Sequence, residues 1–172
     1  MIWVTMTKID YFQNYPQEIR DKVDQLIASG QLRSYLLKKY PTGHQVNTDK
    51  QLYEYANNIK QSYMKNSPQI DKVMYGKQKD LIINALGTHT FVSRNHGGKL
   101  KSKHEIRIAM SLKNAPEEIL KMLVVHELAH FKEKDHNKAF YKLCEYMQSN
   151  YCEVEVDLLL YLTLLDQGEV LY

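Results

Sequence analysis

The residues whose types and spacing carry most chemistry are His126-Glu127-Leu128-Ala129-His130. Residues four apart on a helix lie one above the other, so both imidazoles can reach one metal ion. Glu127, turned by one residue, then stands beside a water on that ion and outside its ligand shell. With 7 His and 11 Glu among 172 residues, chance produces such a match roughly 0.02 times per chain, so the pattern is read as a site.

A catalytic zinc takes three protein ligands and leaves a fourth position for water. His136, six residues past His130 across a break in the helix, is the candidate third ligand. If it opens the next helix, it projects on the side of Phe140 and back toward the first. One zinc ion per chain, held by His126, His130 and His136, is therefore expected. Its water would be acidic near neutral pH, with Glu127 taking the proton and returning it to the leaving group. Val124-Val125 and Leu128-Ala129 place the pair on a largely buried helix, where unligated imidazoles are costly. A purely structural zinc normally closes with a fourth ligand, often Cys. Tyr141, Arg94 and Arg107 are candidates for stabilising a developing oxyanion, and Glu133, Asp135 or Glu153 for orienting the imidazoles.

The elements that must position these residues read as helical, then sheet, then helical. Pro16 opens a helix with Ile19, Val23, Leu26 and Ile27 on one face, stopped by Ser29-Gly30. Leu32 to Tyr40 is a second helix. Thr48 or Asp49 caps a third, with Leu52, Tyr55, Ala56, Ile59 and Tyr63 on its apolar face. Lys72 to Tyr75, Leu81 to Leu86 and His89 to Arg94 read as short strands between glycines. In Glu105 to Leu112, apolar Ile106, Ile108, Met110 and Leu112 alternate with the rest, which predicts a strand of an antiparallel sheet with one buried face. Asn114 with Glu117 fits a capping box for the metal-site helix, which runs to about Lys132. Phe140, Leu143, Cys144 and Met147 mark the next helix, and Val154 to Leu165 the last. The fold class is α+β, taken as one domain over 1–172, with a helical part at about 1–68 and a sheet and zinc-site core at about 69–172.

Composition narrows the classes. At 44% hydrophobic and 25% charged, with only 7 Gly and 4 Pro, the chain is globular. No apolar run approaches the roughly 18 residues needed to span a bilayer, so no membrane partner is expected. Cys144 and Cys152 are too few for a disulfide framework, and MIWVTMTKIDYF lacks the basic and apolar regions of a secretory leader, so a reduced, cytoplasmic setting is expected. Net charge is +3, yet the first 152 residues hold all 23 Lys and Arg and only 15 of the 20 acids, a net +8. Arg94, Lys99, Lys101, Lys103 and Arg107 concentrate it in a basic hairpin suited to an anionic partner, unless an acidic terminal helix folds back on it.

The spacing of the three histidines equals that of the metzincins, but Glu133 stands where that pattern has glycine and no Met-turn follows, so that clan is not assigned. The stretch from Val124 through His126-Glu-Leu-Ala-His130 and Asp135-His136 to Phe140-Tyr141 closely resembles the signature of the YgjP-like metal-dependent hydrolases, a bacterial group with a zincin-type metallopeptidase core. Asn84 to Arg94, Gly97 to Arg107, and Tyr63 through Tyr75 share the likeness, which begins near Met6 and makes that residue a candidate natural start. The resemblance implies a zincin-like α+β fold, His126, His130 and His136 as metal ligands, and Glu127 as the catalytic acid/base. It also implies a sheet edge beside the cleft, for which Glu105 to Leu112 is the candidate, able to pair with a peptide.

Three functions follow as expectations. The first is a small zinc metallopeptidase acting on peptides or flexible protein segments. The second uses the same centre on a nucleoside triphosphate, because the family name is also attached to a UTP pyrophosphatase activity, with Lys99, Lys101, Lys103 and Arg107 holding the triphosphate. Gly97-Gly98-Lys99 lacks the spacing of a phosphate-binding glycine loop. The third is a noncatalytic nucleic-acid or protein-binding adaptor using the basic hairpin. Phe91 is its only nearby aromatic, so no stacking platform is visible and nucleic acid is not an expected partner.

Overall fold

The computed structural model describes residues 10–77 and 104–172, and among these described residues it has six α-helices and two strands. They are α1 Gln17–Ala28, α2 Leu32–Lys39, α3 Asp49–Tyr63, β1 Lys72–Gly76, β2 Glu105–Ala109, α4 Glu117–Ala129, α5 Lys138–Met147 and α6 Tyr151–Asp166. The class is α+β. The chain divides into two compact units, Met1–Thr42 with Glu155–Tyr172, and Gly43–Val154.

In the first unit α1 starts at Pro16, whose extended ψ of 146° cannot belong to a helix. It ends where Gly30 takes φ +68°, a left-handed conformation that favours glycine. Asp157, 1% exposed, receives Lys39 Nζ at 2.7 Å and a hydrogen bond from the Tyr40 hydroxyl. Arg33 donates to the carbonyls of Val170 and Leu171 at 2.9 and 3.1 Å. These contacts give the acidic terminal segment partners on α2; the basic run from Arg94 to Lys103 lies outside the described residues.

Glu155 on α6 is partly buried, and burial pushes its carboxyl up to about 7. A raised acid pKa means that the folded chain holds the proton more tightly than the unfolded one. Its contribution to stability is therefore full below the ordinary carboxylate range and is lost as pH rises through about 7. Glu155→Gln is expected to raise stability at pH 8 by on the order of 2 kcal/mol and to leave it unchanged at pH 4. Parallel denaturation curves at the two pH values read this directly, and an equal effect at both would discard the explanation.

In the second unit Thr48 caps α3, its hydroxyl accepting from Gln51 N while the Gln51 side chain accepts from Thr48 N. The helix buries Leu52, Ala56, Ile59 and Lys60 and packs on β1. Tyr63, expected on the apolar face, is exposed and meets Tyr146 edge-on, while Lys60 takes the buried position.

The expected antiparallel sheet is corrected. Among the described residues β1 and β2 pair in parallel, with Val73 beside Ile106 and Tyr75 beside Ile108. Alternation reports which face of a strand is buried and carries no information on the partner's direction. Residues 77–104 are a connection of crossover length, far longer than a hairpin turn. The expected strands Leu81 to Leu86 and His89 to Arg94 lie outside the described residues. β2 buries Ile106 and Ile108, but Met110 is exposed, because a 3-10 turn over Met110–Leu112 ends the two-residue period.

The start of α4 also differs from the capping-box reading. Its N-cap is Pro116, extended at ψ 148°, with no side-chain cap. Pro116 bridges Gly43, and His44 N donates to Ala115 O at 3.0 Å, which holds Pro116 extended. Glu117 and Glu118 stand in the first turn, where the helix dipole favours negative charge.

Candidate metal centre

α4 is buried almost all round: Ile119, Leu120, Met122, Leu123, Val124, Val125, Leu128 and Ala129 all lose their solvent contact. Such a helix is rigid where it carries His126, and it places His130 at its C-cap. Beyond it the chain turns by three-residue bonds, Phe131 N to Leu128 O and Lys132 N to Ala129 O, which close the helix short of the expected Lys132. His136 then precedes α5, whose N-cap is Asn137.

These elements bring the three histidines together. The Nε2 atoms of His126 and His130 lie 3.2 Å apart, those of His126 and His136 3.2 Å, and those of His130 and His136 3.1 Å. A tetrahedral zinc with bonds of about 2.0–2.1 Å needs nitrogens about 3.3 Å apart, so the triangle has the right size. The protons also point the right way. His130 Nδ1 lies 2.9 Å from the Glu133 carbonyl oxygen, an atom that only accepts, so the proton sits on Nδ1 and Nε2 presents a lone pair to the shared point. His126 Nδ1 lies 2.7 Å from the Tyr151 hydroxyl, an oxygen able to accept a proton from that nitrogen or to donate one to it. Lone pairs converging this closely repel unless a cation lies between them, so the donor set fits a metal ion.

Phe140, fully buried on α5, forms an apolar floor, with its centroid 4.9 Å from the His126 ring and 4.7 Å from each of the other two. Asn137 ties the connection together. Its Oδ1 accepts from Phe140 N at 2.9 Å, and its Nδ2 donates to Glu133 Oε2 at 3.3 Å. Asn137→Ala is expected to cost about 1 kcal/mol, the usual loss for an N-cap. It should also weaken zinc binding, since His136 is the adjacent residue; calorimetric unfolding and chelator competition measure the two effects. Zinc affinity equal to the parent's would mean that the cap does not hold His136.

Glu127 sits on α4 one residue past His126, partly buried, and burial pushes its carboxyl up to about 7. A cation nearby would pull that value down and restore the ionised form. Of the expected orienting groups, Glu133 acts through its backbone carbonyl and not its carboxylate. Tyr151, unforeseen, holds His126; nothing in its sequence neighbourhood signals the contact. Tyr141 lies with its ring 6.5 Å from that of His136. Arg107 is half-exposed and pairs with Glu105 on its own strand at 3.5 Å. Arg94, Lys99, Lys101 and Lys103 lie outside the described residues. No described helix is long and apolar enough to cross a membrane.

Comparison with known proteins places the chain in a family. No solved structure matches the chain. A curated relative, UTP pyrophosphatase of Escherichia coli (strain K12), is 48% identical over 164 residues, covering 95% of this chain and 98% of the relative. The family profile for the YgjP-like metallopeptidase domain matches residues 38–159, a span that contains all three histidines and Glu127. From the match and the relative together, the chain belongs to the YgjP-like family.

Proposed function

We propose that the chain is a zinc-dependent hydrolase whose centre is His126, His130 and His136, with Glu127 as acid/base, and that its substrate is a nucleoside triphosphate. The observation that carries the hydrolase reading is the triangle of Nε2 atoms at 3.1 to 3.2 Å. When bound, the ion supplies Lewis acidity that makes a water acidic near neutral pH. Glu127 receives the proton and delivers it to the leaving group. Phe140 and the buried face of α4 exclude solvent behind the imidazoles, so charge on their open side acts through a low dielectric.

The substrate class rests on the relative named UTP pyrophosphatase, which is similar over nearly its whole length. A second reading, a metallopeptidase acting on peptides or flexible protein segments, is favoured by the family description. Pyrophosphate release from UTP, run beside cleavage of an unfolded protein, separates them, each with and without chelator. Chelator-sensitive pyrophosphate release supports the first reading. Proteolysis alone supports the second, and neither activity in zinc-loaded protein would remove both substrate proposals.

A further inference from the structure

The imidazole deepest in the site is His126, 2% exposed, and its outward-facing nitrogen meets a phenol. Tyr151 is fully buried, and its oxygen stands 2.7 Å from Nδ1. The two rings are nearly coplanar, 16° apart, with centroids separated by 6.4 Å. That separation is too long for stacked faces; the rings meet end to end, as an in-plane hydrogen bond requires. The phenol has little freedom to turn away. Its residue opens α6, Tyr151 N donates to Gln148 O at 2.9 Å, and the Tyr141 ring packs against its own at 6.3 Å.

Taking the metal-centre reading as its basis, we propose that Tyr151 is a positioning residue. Its oxygen accepts the Nδ1 proton of His126 and fixes that ring with Nε2 toward the point shared with His130 and His136. The argument is one of tautomers. A neutral imidazole has one N–H, and only the form protonated at Nδ1 can offer Nε2 to a cation. Without an acceptor at Nδ1, that form buries an unpaired N–H, and the ring gains from turning or from moving its proton to Nε2. His130 obtains the same restraint from the Glu133 carbonyl. Both acceptors are neutral. They orient the rings without adding the negative charge that carboxylate partners would bring.

Tyr151→Phe keeps the ring and removes only the oxygen. Zinc affinity is measured by chelator competition at 10 °C on folded protein, with metal-free melting and the absorption spectrum of the cobalt-substituted protein recorded beside it. The expected result is a 10- to 100-fold weaker zinc affinity, with an altered cobalt spectrum and metal-free melting close to the parent's. Unchanged affinity and an unchanged spectrum would overturn the assignment, including where the variant melts lower, because Tyr151 would then serve packing alone. If the parent itself binds no zinc, the metal-centre reading fails, which is distinct from the failure of Tyr151.

Discussion

Glu127→Gln is expected to lower turnover of the hydrolysed substrate by about 10²–10⁴, the usual contribution of a positioned acid/base. That loss corresponds to about 2.7–5.5 kcal/mol of transition-state stabilisation. The amide matches the carboxylate in size but cannot accept a proton. It is also not a ligand, so zinc should remain at one per chain. Burial pushes the Glu127 carboxyl up to about 7, which disfavours its ionised form unless a cation offsets it. The metal-free variant should therefore melt no lower than the parent above neutral pH. Turnover and metal content on the same preparation decide the matter: undiminished turnover removes Glu127 from the mechanism, and lost zinc would make it a ligand.

The second large effect is expected from His136→Ala. His126 and His130 share one helix and stay neighbours whatever the connection does, but two imidazoles make a weak zinc site. The third nitrogen, 3.1 Å from His130 Nε2 and 3.2 Å from His126 Nε2, completes the donor set. Its removal should weaken zinc binding by more than the 10- to 100-fold that loss of an orienting hydrogen bond costs. Hydrolysis should fall to the level of chelated parent. Elemental analysis gives the stoichiometry, and a variant that keeps one tightly bound zinc would show that another group supplies the third ligand.

The centre was legible in the sequence because its chemistry is local. His126, Glu127 and His130 lie within about one turn of helix, where the helical period alone dictates which side chains share a face. His136 is six residues further on, and a short connection leaves it few places to go. The apolar stripes of α1, α3 and α5, the Thr48 cap and the Ser29-Gly30 stop are likewise properties of neighbouring residues. The antiparallel expectation for Glu105 to Leu112 failed for the complementary reason: strand direction is a relation between distant segments, and β1 is joined to β2 through residues 77–104.

Near-neighbour spacing was thus enough to read the α+β class, the helix that carries His126 and His130, and the three histidines whose Nε2 atoms the structure brings together. Only the tertiary structure decided that β1 and β2 run parallel, that Pro116 held extended by Gly43 and His44 starts α4, and that Phe140 floors the imidazoles. It alone brought Tyr151 to His126, 25 residues away in the chain. The physical reason is the range of the forces. Helical periodicity and capping act over three or four residues, whereas an acceptor for a buried N–H is found wherever packing happens to bring one.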